Sequence, residues 1–229
     1  MQVTHAQSGQ IYEIADKTDA SFLRRKRSLV VIDGENLHYA AKRNFVGKSS
    51  RVDFDKTAKM LQNACTIADM YVCASGTSER DIVGGTYNKP WNVIVNPLDT
   101  SDLLKRKREL EELGNKVTSD SNADPMIFYT VGRLLPLKRY QVLVIGSGDG
   151  DLGCWLAKIV KRQFGNTIEV VTMSLAGSHS PRLFTDQNPN ISANIEIGCD
   201  LLVPFDQPPA LPKPTLWEQV QSMCYNLVN

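Results

Sequence analysis

Acidic residues in this chain collect where apolar runs end. The run SLVVID (residues 28–33) closes on Asp33, and Asn36 follows three positions later. The run QVLVI (residues 141–145) leads into GSGDGD, which carries Ser147, Asp149 and Asp151, and Asp124 stands before Pro125 at the head of a further apolar stretch. A run that is apolar throughout reads as a strand buried on both faces. In an open parallel sheet, ligands bind beyond the carboxyl ends of the strands, where the strand order reverses. If the strands leading to Asp33 and to Asp149 are neighbours across that point, their carboxylates converge. Like charges that close are unfavourable unless one takes up a proton or a cation neutralises them. Oxygen donors of this kind suit a hard divalent ion, Mg²⁺ or Mn²⁺, that keeps part of its water.

Each of these residues also has a plain structural explanation. Asp33-Gly34 can end a strand in a turn. Asn36 can cap a helix over Leu37, Ala40 and Ala41, and Asp151 can cap one that begins at Leu152. Asp124 followed by Pro125 matches an N-cap followed by proline at the first helical position. What favours chemistry is the joint pattern, since three separate segments each bring an acid to the end of an element.

Other chemistries are poorly provided for. The five cysteines (Cys65, Cys73, Cys154, Cys199, Cys224) form no C-x-x-C pair, which excludes zinc ribbons and thioredoxin-type redox motifs. The three histidines (His5, His38, His179) show no metal-ligand spacing, so a metal here must be held by oxygen. The 229 residues, 42% hydrophobic and 22% charged, suit one soluble α/β domain with appendages. No apolar stretch reaches membrane-spanning length and the first residues do not read as a secretory signal, so a cytoplasmic protein is expected. A net charge of +1 leaves the question of nucleic acid to local clusters.

The elements that must position the acids follow from periodicity. Strands are expected at 28–33, 68–74, 92–98, 141–145, 167–173 and 200–204. Helices are expected after Asn36, over 53–65, over 101–113, from Asp124 through 135, and after GSGDGD with Leu152, Trp155, Leu156, Ile159 and Val160 at helical spacing. Strands alternating with helices indicate a doubly wound α/β fold with a mainly parallel sheet. Residues 1–27 read as a mobile basic leader with a short strand near Ile11, and 28–205 as the domain. Residues 206–229 read as a proline-rich linker and a C-terminal amphipathic helix suited to a second copy or a protein partner.

The blocks VVIDGENLHYA, NADPMIFYTVGRL, VLVIGSGDGDLGCWL and IGCDLLVPF resemble, in order, the motif blocks of the NYN domains, members of the PIN-like nuclease superfamily. The resemblance covers roughly residues 28–205. It implies a parallel sheet flanked by helices and an acidic pocket that binds Mg²⁺ or Mn²⁺ and hydrolyses RNA phosphodiester bonds. Asp33, Asn36, Asp149 and Asp151 match the family's acidic and polar positions, and the middle acid is Asp124 or Asp120. On this resemblance Asp33 and Asp149 bind the metal directly, while Asp151 and Asp124 act through water or orient the nucleophile. Asn36 and the Ser147 hydroxyl are left to bond phosphate or water. For the RNA, single-stranded by preference and with DNA left open, the candidate contacts are Arg24, Arg25, Lys26, Arg27 and Lys158, with Lys161 and Arg162 beside it. Lys105 to Arg108 are balanced by Glu109, Glu111 and Glu112, and read better as a solvated helix face. Tyr39, Phe45 and Trp91 are possible stacking platforms, the remaining aromatics reading as core.

Two rivals stand beside this. Gly148, Gly150 and Gly153 satisfy G-x-G-x-x-G between a strand and a helix, as in dinucleotide- or nucleoside-binding enzymes, although Asp149 and Asp151 would face a pyrophosphate with the wrong charge. The same fold could also serve as a catalytically idle module that binds RNA or protein.

Overall fold

The apolar runs form the centre of one sheet. The computed structural model describes residues 2–5, 11–13, 23, 25–44, 50–75, 92–96, 123–137, 139–184, 187–198 and 201–204. Strand β1 is Gln2–His5, β2 Ile11–Glu13 and β3 Arg27–Asp33, followed by helix α1, Gly34–Asn44. Then come β4 (Ser50–Val52), α2 (Phe54–Ala64), β5 (Thr66–Ser75) and β6 (Asn92–Asn96). Helix α3 (Asp124–Leu134), β7 (Val142–Gly146), α4 (Gly150–Phe164), β8 (Glu169–Leu175), β9 (Ala193–Ile197) and β10 (Leu202–Pro204) complete the order.

The main sheet runs β2-β1-β9-β8-β7-β3-β5-β6, and its six strands from β9 to β6 are mutually parallel. The protein is therefore an α/β fold with a mainly parallel sheet. From β3 the chain moves outward through β5 and β6, then returns to the other side of β3 for β7, β8 and β9. The strand order reverses between β3 and β7, and this is the switch point at which such sheets bind ligands.

Strand alternation sorts the core into two layers. Val30, Ile32, Val142 and Val144 pack with Leu37 and Ala41 of α1 and Phe54, Ala58 and Leu61 of α2. Leu29, Val31, Leu143 and Ile145 pack on the other face with Ile127 and Val131 of α3 and Leu152, Leu156 and Val160 of α4. Helices thus cover both faces, as the doubly wound pattern requires.

Several expectations need correction. Part of residues 1–27 is built into the sheet: β1 pairs antiparallel with β9, the last of the parallel strands, and β2, the short strand expected near Ile11, pairs with β1. Strand β9 falls in a stretch read as polar loop, because Asn194 interrupts its apolar run; buried, it donates to Thr172 Oγ1 (2.7 Å) and to the Leu183 carbonyl (2.7 Å). The strand expected at 200–204 is β10, which pairs antiparallel with β4, outside the main sheet. Trp155 and Ile159, expected on the apolar face of their helix, are 57% and 44% exposed, because the sheet covers only the narrower stripe of Leu152, Leu156 and Val160. The helix expected over 101–113, Asp120 and residues 205–229 lie outside the described residues. Among the described residues no helix is long and apolar enough to cross a membrane.

Candidate active site

The carboxyl ends of β3 and β7 lie side by side, Ile32 against Gly146. A Cβ on Gly146 would come within 2.8 Å of Ile32 Cγ1, so only glycine permits this approach of the two strands. Strand β3 passes directly into α1 and β7 passes into α4 through residues 147–149, and an aspartate stands at each junction.

Asp33 occupies the cap position of α1. Its Oδ1 accepts a hydrogen bond from the Asn36 backbone N–H (2.9 Å), the geometry of an N-cap. Asp149 does the same for α4, its Oδ1 accepting from the Asp151 N–H (2.7 Å). The capping roles assigned from sequence to Asn36 and Asp151 therefore belong to Asp33 and Asp149, because both helices start earlier than their apolar periodicity suggests. Asn36 instead reaches across the switch point, where its Oδ1 accepts from the Gly148 N–H (2.8 Å). Ser147 is buried, and its Oγ accepts from the Asp149 N–H (3.1 Å). Both helices direct the positive ends of their dipoles at this point.

Capping uses one oxygen of Asp33. The other, Oδ2, is buried and has no hydrogen-bond partner among the described residues. Burial pushes the Asp33 carboxyl up to about 7; the Asn36 N–H opposes that, and the charges of Asp124, Glu35 and Asp149 reinforce it. Asp124 and Asp149, from two other parts of the chain, are thus both brought close enough to act on Asp33. Asp124 is not an N-cap: the cap of α3 is Ala123, which has no capping side chain, so Asp124 already sits within the helix.

Asp151 is turned elsewhere. It is exposed, forms an ion pair with Arg182, and is not among the acids acting on Asp33. The basic leader is also displaced. Arg27 begins β3 and Asp33 ends it, so Arg25, Lys26 and Arg27 stand at the opposite end of the sheet, about 20 Å from the acids. There Lys26 Nζ donates to Glu169 Oε1 (2.6 Å), and Arg27 lies over the Tyr140 ring (5.8 Å). Arg24, Phe45 and Trp91 lie outside the described residues. Tyr39 is half exposed, with Lys42 5.9 Å from its ring. Lys158 is exposed on α4, the helix that begins beside Asp149.

The glycines of GSGDGDLG serve packing rather than a phosphate. A Cβ on Gly148 would strike the Ser178 carbonyl and come within 2.7 Å of Ser174 Oγ. On Gly150 it would strike Ser180 Oγ, and on Gly153 it would lie 2.5 Å from Leu183 Cδ2. The chain from Ser174 to Leu183 therefore packs closely on these glycines, and the Asp149 carboxylate already caps the helix end where a pyrophosphate would bind. This argues against the dinucleotide alternative.

That same segment holds residues the sequence did not single out. Ser180 N–H donates to the Gly148 carbonyl (3.0 Å), and the Ser174 and Ser178 hydroxyls bond each other (2.7 Å). His179, between Ser178 and Ser180, is buried beside Phe184, and neither ring nitrogen has a hydrogen-bond partner among the described residues. Its pKa is pushed down to about 4 by burial, so the ring is neutral near pH 7. Only proximity in the fold links these residues to the acids.

The donors are of the kind that suits Mg²⁺ or Mn²⁺: all are oxygens, and the buried Asp33 Oδ2 lies in the field of other acids with no hydrogen-bond donor among the described residues. Among the described residues no group of three His, Cys, Asp or Glu side chains is close enough to hold a metal ion. An ion at this point would therefore be held by at most two of these carboxylates and would keep its remaining waters, as Mg²⁺ usually does.

No protein-family model and no curated protein matches this chain. Among solved structures, a protein of unknown function from Vibrio parahaemolyticus is similar to it, with a TM-score of 0.47 and 12% identity over 79% of this chain and 98% of the other.

Proposed function

We propose that the acids at the β3–β7 switch point form a divalent-cation site at which this protein hydrolyses RNA phosphodiester bonds. The observation that carries the proposal is Asp33: a carboxyl at the carboxyl end of the central strand, buried, with Oδ2 lacking a partner among the described residues and three further acids raising its proton affinity. An arrangement that disfavours its own charge is expected where a cation is to be received. RNA is chosen as substrate because the motif blocks resemble those of NYN domains.

Asp33, through Oδ2, and Asp149, through the oxygen not used in capping, would hold Mg²⁺ or Mn²⁺, with Asp124 bonding its waters. The bound ion supplies Lewis-acid polarisation of the phosphate and lowers the pKa of water. Asn36 holds the Gly148 N–H and fixes the loop that carries Asp149, so its role is to position that acid. Asp124, on the third element, is the group available to accept a proton from an attacking water. Ser147 braces the same loop through the Asp149 N–H.

The test is cleavage of labelled single-stranded RNA in Mg²⁺ or Mn²⁺, with EDTA and Asp149→Asn as controls. Asparagine still caps a helix, so this variant removes the charge and keeps the junction. Cutting that disappears in both controls supports the proposal. No cutting with either metal, while RNA still binds, would mean a binding module on the same fold.

A further inference from the structure

One stripe of α4 is used neither by the core nor by the acid site. Asp151, Trp155, Lys158 and Arg162 are spaced i, i+4, i+7 and i+11, which places them on one helical face, and all four are exposed. Trp155 is 57% exposed, with Lys158 Nζ 5.6 Å from its ring centroid. At the head of the stripe Arg182 pairs with Asp151, yet both side chains stay largely in water, 61% and 75% exposed. After Asp151 the helix carries no acid, and its last turn holds Lys161 and Arg162. The stripe starts two residues from Asp149 and runs about 16 Å along the helix from there.

Folding does not require this tryptophan, because Leu152, Leu156 and Val160 already fill the core side of the helix. An exposed indole with cations on both sides, on a line leading from an acidic site, has the chemistry that binds a single strand. The aromatic face stacks a base of any sequence, and the cations take the phosphates on either side. Paired bases cannot use such a platform, because both their faces are already stacked.

We propose that α4 is the track along which single-stranded RNA leaves the acidic site, with one base stacked on Trp155 and its neighbouring phosphates on Arg182 and Lys158. Asp151 is then the counter-ion that Arg182 gives up when a phosphate arrives. This rests on the ribonuclease proposal for the identity of the ligand, but its test needs neither metal nor cleavage.

The experiment is fluorescence anisotropy of a short labelled oligouridylate with the full chain in EDTA, over a range of salt concentrations. Trp155→Ala is expected to weaken binding about tenfold or more, and Trp155→Phe to retain most of the affinity. Lys158→Ala and Arg182→Ala should each lower the slope of log affinity against log salt by about 0.7. Asp151→Asn, which frees Arg182, should tighten binding. Thermal melts of these exposed-site variants should match wild type, which separates lost contacts from lost fold. Wild type that does not bind, Trp155→Ala that binds as wild type does, or duplex RNA that competes equally well would each overturn the track. Binding that depends on Trp155, without metal-dependent cutting, would keep the track and remove the nuclease.

Discussion

The two ends of the sheet are finished in opposite ways. At the amino end charges meet partners: Lys26 pairs with Glu169, Arg27 lies over Tyr140, and the Tyr140 hydroxyl donates to Asp69. At the carboxyl end acids meet acids. Asp33 is buried with one oxygen that has no partner among the described residues, and Asp124, Glu35 and Asp149 push its proton affinity further up. The first arrangement stabilises a fold. The second costs stability, and such costs gather where a protein has work to do.

The largest effect should come from removing charge at the costly end. Asp33→Asn and Asp149→Asn are each expected to lower metal-dependent RNA cleavage by about 10²-fold or more, with RNA binding retained. Single-turnover cleavage beside anisotropy checks both halves.

The next concerns stability against pH. In the folded protein Asp33 holds its proton up to about 7, against about 4 in the unfolded chain, so between those values the folded state binds more protons. Its contribution is complete at low pH and is lost as pH rises through about 7, by up to about 4 kcal/mol. Glu35, Asp124 and Asp149 strengthen this effect and the Asn36 N–H weakens it. His179 acts in the opposite sense, because its pKa is lowered to about 4 and its contribution is lost as pH falls. The informative quantity is therefore the difference between wild type and Asp33→Asn in denaturant melts without metal. The variant should gain on wild type as pH rises towards 8, and Mg²⁺ should stabilise wild type alone.

A smaller effect tests the packing beneath the site. Gly148→Ala forces a methyl group against the Ser178 carbonyl and Ser174 Oγ, and is expected to cost about 1–3 kcal/mol, measurable by urea denaturation. The smallest belongs to the matched end. Arg27→Ala removes one exposed contact with an aromatic ring, worth about 0.5–1 kcal/mol, and should leave cleavage and RNA affinity unchanged. A strong loss of RNA affinity there would reverse the comparison between the two ends.

The sequence made the central strands legible because they are apolar throughout, and the acids legible because they stand where those strands stop. Edge strands were harder to read. Strand β1 lies in a polar leader and takes its place from pairing with β9, which the local pattern does not encode, whereas β2, its other neighbour, is the short strand expected near Ile11. Strand β9 was hidden by Asn194, a buried amide whose partners, Thr172 and Leu183, lie elsewhere in the chain. The glycines at 148, 150 and 153 looked like a phosphate loop because their neighbours, Ser174 to Leu183, are distant in sequence. Of the Arg24 to Arg27 run expected to contact RNA, β3 places the described part at the far end of the sheet from Asp33, a separation that spacing alone does not reveal. Trp155 looked like core because spacing gives a helix face without saying how much of it a sheet will cover.

The most direct test of the acid site is binding of Mn²⁺, followed by electron paramagnetic resonance, to wild type and to Asp33→Asn without RNA. The expected result is a bound ion in wild type that Mg²⁺ displaces and that the variant loses. Equal binding by the two proteins, or none by wild type at millimolar Mn²⁺, would contradict a cation site at the β3–β7 switch point.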